Sequence, residues 1–254
     1  MRYNRDVAMK IFEILEDYLP TNFGKILQDD DDYIVNIGEI EDELWAIDHT
    51  VKFYSGISKL AIVAESLGEV AIKVPFNGCY EYSDEYYDCQ HSNNYDDDEE
   101  WDFDRKYYFE KFYSGGGKND DDYCAEEYAT YKELKELGYE QFVAETELLG
   151  SIDGRYILVQ EFVTSMNDYC KKIVNSQQSI ETSKRIREDY SSANNVEDDW
   201  VAACVEYYGE ELSERFFNYT EEDGYSILAD AHWGNYGYRK DGSPCILDFS
   251  DFSG

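Results

Sequence analysis

The stretch Ser226-Ile-Leu-Ala-Asp230-Ala-His232-Trp-Gly-Asn235, followed by Cys245-Ile-Leu-Asp248-Phe249-Ser250, decides how this 254-residue chain is read. An acid and an amide stand five residues apart in a short loop, and a second acid ends an apolar strand. That set suits phosphoryl transfer, in which Asp230 would face a substrate hydroxyl while the Asn235 amide oxygen and the Asp248 carboxylate would help to hold Mg²⁺. Residues 236–239 and 245–247 flank Lys240-Asp241-Gly242-Ser243, whose Asp-Gly pair is a hairpin turn signal. Closing that hairpin brings Asn235 to Asp248.

Upstream, Glu69-Val-Ala-Ile-Lys73-Val-Pro-Phe76 places Lys73 in an apolar, β-branched run, a strand lysine available to nucleotide phosphates. Residues 51–55 and 60–64 read as two earlier strands joined by Gly56-Ile57-Ser58-Lys59. This turn offers backbone N–H groups, a hydroxyl and a positive charge to phosphate oxygens, and with its single glycine it reads equally as an ordinary hairpin turn. Residues 122–137 have helical spacing, with Tyr128, Tyr131, Leu134 and Leu137 on one face and Glu127 one residue from that stripe. Residues 142–149 and 156–163 read as two strands bridged by Ser151-Ile-Asp153-Gly154, with Phe142 and Leu149 as core.

The order of these features resembles the protein kinase-like superfamily over residues 48–252, above all its minimal bacterial and phage-type members and the aminoglycoside and choline kinases. The resemblance implies an α+β, two-lobed fold: an N-terminal helical extension at 1–47, a small lobe at 48–163 and a reduced large lobe at 164–254. It implies ATP and Mg²⁺ as cofactors. Asp230 would orient or deprotonate the acceptor, Asn235 and Asp248 would bind metal, and Lys73 would hold phosphates. Glu127, or failing it Glu126, would pair with Lys73. By position, Gly56, Ser58 and Lys59 would cover the phosphates, and Gln160, Glu161 and Phe162 would line the adenine.

The departures from the family pattern are specific. Leu228 and Ala229 stand where protein kinases carry His-Arg, and Ser250 replaces the glycine of Asp-Phe-Gly. The sequence ends at Gly254, six residues after Asp248, so no activation segment or peptide-docking subdomain is expected. His232 is similar to the aminoglycoside-kinase pattern and either contacts phosphate or shapes the loop. His49 and His91 have no partners that suggest a metal or a triad.

Outside the motifs, residues 1–18 contain an amphipathic helix with Val7, Ile11, Ile14, Leu15 and Tyr18 on its apolar face, ended by Pro20. Residues 38–47 read as a second short helix. Residues 171–195, rich in Ser, Gln and Lys, read as a loop or polar helical insertion near the nucleotide. Residues 199–217 read as one helix with Val201, Cys204, Val205, Tyr208 and Leu212 as its stripe. Six cysteines without C-x-x-C spacing suit reduced thiols in a cytoplasm, that of a host if the protein is phage-encoded. No signal peptide or membrane span is expected.

With 57 acidic against 22 basic residues, the formal net charge is −35, which argues against direct nucleic-acid binding. An insert at about residues 77–119 mixes Asp and Glu with many aromatics, among them Tyr80, Tyr86, Trp101, Phe103 and Phe109. Three readings of the acid stand side by side: a solvated surface, a docking face for a basic protein, and adaptation to high salt. Two functions follow. One is an ATP- and Mg²⁺-dependent phosphotransferase of unknown acceptor, for which nucleotidyl transfer uses similar residues. The other is a catalytically weak kinase-like protein that binds a basic host protein through its acidic surface. Oligomeric state is not encoded in these features.

Overall fold

The structure, a computed structural model, describes residues 1–22, 38–55, 59–75, 122–152, 154–166, 168–169, 173, 175–222, 227–228 and 231–249. Helix and strand are mixed, as an α+β chain requires. The insert at 77–119 lies outside the described residues.

Five antiparallel strands form one sheet in the order β1-β2-β3-β5-β4: β1 is Lys52–Ser55, β2 Lys59–Val63, β3 Val70–Pro75, β4 Thr146–Ile152 and β5 Arg155–Glu161. Every residue of β3 is buried, so both faces of the sheet are covered. Side chains alternate between those faces. One face carries Leu60, Ile62, Val70, Ile72, Val74, Ile157 and Val159 into a core with Ala8, Ile11, Phe12, Leu15, Ile40 and Leu44. The last six belong to α1 (Arg5–Asn22) and α2 (Gly38–Ile47), which cap that face. A register shift between Leu148 and Gly150 turns β4 over partway along, so that Gly150 meets the Phe12 ring.

The opposite face is polar. Ala61 pairs with Lys73, Lys73 with Leu158, and Thr146 with Gln160, which puts Lys59, Lys73, Gln160 and Thr146 on one side. Helix α3 (Tyr123–Leu137) packs there and buries Cys124, Glu127 and Thr130, while its Tyr131 and Leu134 enter a hydrophobic cluster with Tyr139 and Phe142. The buried face is therefore rotated from the expected Tyr128 and Leu137 stripe, and Leu137 is exposed. Asp122 fixes the start of α3: one carboxylate oxygen accepts from Ala125 N–H at 3.0 Å and the other from Tyr156 N–H at 2.6 Å.

A second core gathers α4 (Gln177–Asp189), α5 (Asp198–Tyr208) and α6 (Glu210–Glu222) around a small sheet of β6 (Thr164–Ser165), β7 (Tyr236–Tyr238) and β8 (Pro244–Ile246). Phe142 stacks on Phe216 with centroids 4.0 Å apart, and Trp200 Nε1–H donates to the Gly237 carbonyl at 3.0 Å. Gly237 permits the contact between β6 and β7, because a Cβ there would lie 1.9 Å from the Thr164 oxygen. The hairpin of β7 and β8 is as expected from its Asp-Gly turn.

Three boundaries differ from expectation. Helix α1 continues through Pro20 to Asn22, two residues beyond the stop that the proline's missing N–H and ring clash predict. The single helix expected over residues 199–217 is two, broken at Gly209, whose φ of 88° and ψ of 156° leave helical space. The strand expected from residue 142 begins at Thr146, preceded by a 3-10 turn over Glu140–Phe142. Within 171–195, the polar segment is α4, capped by Ser176. Among the described residues no helix is long and apolar enough to cross a membrane.

Candidate functional site

Glu127 is 0% exposed, a position a carboxylate holds only with partners. Its Oε1 accepts from Lys73 Nζ at 2.6 Å and from Gln160 Nε2 at 2.8 Å, and its Oε2 accepts from Lys59 Nζ at 3.1 Å. Gln160 Nε2 also donates to Thr146 Oγ1 at 3.1 Å, whose hydroxyl donates to the Ala144 carbonyl at 2.9 Å. The sheet thus presents two ammonium groups and an amide to one helix-borne acid, and each position follows from strand register.

The cluster reaches across to the end of β8. Lys73 Nζ donates to the Leu247 carbonyl at 3.0 Å, and Lys59 Nζ lies 2.5 Å from Asp248 Oδ1. The backbone carbonyl of Asn235 accepts from Leu247 N–H at 2.6 Å and Asp248 N–H at 3.2 Å, so the backbones of the two candidate metal ligands adjoin at the base of the hairpin. Burial lowers the Lys59 pKa, but the Glu127 and Asp248 carboxylates outweigh it and hold the ammonium above its ordinary value. Burial pushes the neighbouring Cys124 thiol well up, against the opposing pull of Lys59, so it is a packed, unreactive thiol.

Lys73, Glu127, Lys59, Gln160, Asn235 and Asp248 therefore come together. Lys59 differs from expectation: it opens β2 and is buried, because two carboxylates draw its ammonium inward. Gln160 and Glu161 are also committed internally, Gln160 to Glu127 and Glu161 to Arg239, while the Phe162 ring is exposed. The His232 Nδ1 accepts from Gly234 N–H at 3.0 Å, which shapes the loop. Asp230, Gly56 and Ser58 lie outside the described residues.

Sequence reasoning missed Arg239. Its Nε donates to both Glu161 oxygens at 3.0 and 2.9 Å, its Nη2 to the Val143 carbonyl at 2.8 Å, and its Nη1 to the Gln141 carbonyl and Tyr208 hydroxyl, each at 3.0 Å. An arginine following β7, with the hairpin turn behind it, was the only signal.

Among the described residues no group of three or more His, Cys, Asp or Glu is placed to hold a metal. The Asp248 carboxylate and Asn235 amide are hard oxygen donors on adjoining stem positions, and Asp248 is 24% exposed, which fits a Mg²⁺ that keeps several waters. No protein-family model, no curated protein and no solved structure matches this chain.

Proposed function

We propose that the protein is an ATP- and Mg²⁺-dependent phosphotransferase on a two-lobed, protein kinase-like frame. The observation that carries this reading is the buried contact of Lys73 with Glu127, made by a strand lysine whose ammonium also touches the carbonyl beside Asp248. Glu127 fixes that ammonium, which would hold nucleotide phosphates, and Gln160 fixes Glu127 in turn. Asn235 and Asp248 would hold Mg²⁺, which when bound would neutralise phosphate charge. Asp230 would orient the acceptor hydroxyl and accept its proton, and the γ-phosphoryl group would be transferred to the acceptor oxygen with ADP as the leaving group.

A second reading, a kinase-like protein that works by binding a basic partner, is favoured by the net charge of −35 and by the Lys59 contact that occupies Asp248. Calorimetry of Mg-ATP on the intact protein beside Asp248→Ala separates the two, with labelled-phosphate transfer followed in the same samples. Metal-dependent binding lost in the variant, with label reaching an acceptor, is the expected result. No binding at millimolar nucleotide would overturn the phosphotransferase reading.

A further inference from the structure

Lys59 is a second buried lysine in a cluster where Lys73 already neutralises Glu127. Register makes it a neighbour: Lys59 pairs with Pro75 and Ala61 with Lys73, so both ammonium groups stand on one sheet face. Burying an ammonium is costly unless a carboxylate accompanies it. Glu127 offers Lys59 its second oxygen at 3.1 Å, and Asp248 offers the shorter contact, 2.5 Å. Two ammonium groups and two carboxylates thereby balance. Lys59 is 5% exposed and Asp248 24%, so Asp248 is the side of the cluster that solvent and ions reach.

The carboxylate held by Lys59 is the one assigned to the metal. A divalent cation on Asp248 would meet an ammonium already in direct contact with the same carboxylate, and two cations that share one carboxylate repel each other. We propose that Lys59 is an internal cation that holds Asp248 in the metal-free protein and is displaced from it by the incoming divalent ion. The inference rests on the phosphotransferase reading for the identity of the metal ligand and adds a selectivity device. Free metal binds weakly because it must evict Lys59. A metal–nucleotide complex brings phosphate oxygens that give the released ammonium a new partner.

The test is Mn²⁺ binding without nucleotide, followed by the loss of the free-ion paramagnetic resonance signal, for the intact protein, Lys59→Met, Lys59→Gln, Lys59→Arg and Lys59→Met with Asp248→Asn. Lys59→Met and Lys59→Gln are expected to bind Mn²⁺ about tenfold more tightly than the parent, and Lys59→Arg to match the parent. The added Asp248→Asn is expected to remove the gain. Equal or weaker Mn²⁺ binding by both neutral variants, with urea midpoints showing them folded, would overturn the inference. Binding of Mn²⁺ with a non-hydrolysable ATP analogue to the parent, measured alongside, reports separately on the phosphotransferase reading: it stands if that complex binds and fails if it does not.

Discussion

Arg239 and Glu161 lie 78 residues apart in the chain and meet through the guanidinium Nε, which both carboxylate oxygens accept at 2.9 and 3.0 Å. The same guanidinium binds carbonyls at Gln141 and Val143, so one side chain ties the end of β5, the turn before β4 and the β7–β8 hairpin together. Lysine has no planar fork to reproduce this. Arg239→Lys is expected to lose about 2 to 3 kcal/mol, read as a shift in the urea midpoint. An unchanged midpoint would show that the clamp adds nothing to stability.

Glu127→Gln leaves two ammonium groups buried against a neutral amide, with Lys59 still on Asp248. The expected loss is about 3 to 5 kcal/mol by chemical denaturation. Lys73→Met is expected to lose less, because Lys59 continues to neutralise Glu127. The reverse order would mean that Lys59 does not support Glu127.

Gly209 separates α5 from α6 at φ 88° and ψ 156°, a region closed to residues with a Cβ, although no atom lies within 4 Å of where one would stand. Gly209→Ala is therefore a test of backbone strain alone. It is expected to destabilise by about 1 to 3 kcal/mol, visible as a lower thermal midpoint without loss of helical circular dichroism.

Stability is expected to fall on the alkaline side. Burial, with Glu145 next, pushes the Tyr131 hydroxyl up to about 12, and burial pushes the Cys245 thiol up to about 12 against the pull of Arg239. Both pKa values are raised, so the fold favours the protonated forms. The contribution is complete below about pH 9 and lost as pH rises towards 12. A series of urea midpoints from pH 8 upward, with tyrosinate absorbance recorded in parallel, checks the window. A flat profile would contradict it.

The parts of the site that local pattern can encode were legible. Asp241-Gly242 announced the hairpin that sets Asn235 against Asp248, and the β-branched run around Lys73 announced its strand. Glu127 could be picked only beside the apolar stripe, because periodicity ranks a carboxylate as surface. Its burial depends on two lysines 54 and 68 residues away in the chain. Lys59 read as a loop cation for the same reason: its acidic partners are distant in sequence. Gly209 escaped notice because Val201, Cys204, Val205, Tyr208 and Leu212 continue helical spacing straight through it.

The contact of Lys59 with Asp248 spans 189 residues and makes the site a late event in the life of the chain. At a ribosome adding about 5 to 20 residues per second, roughly 10 to 40 s pass between the emergence of the lysine and that of its acid. Through that interval the β2 lysine lacks the Asp248 carboxylate, and until 68 further residues have been added it lacks the Glu127 carboxylate as well. The charge balance around Lys59 on the five-stranded sheet is complete only when the β7–β8 hairpin brings Asp248 to it.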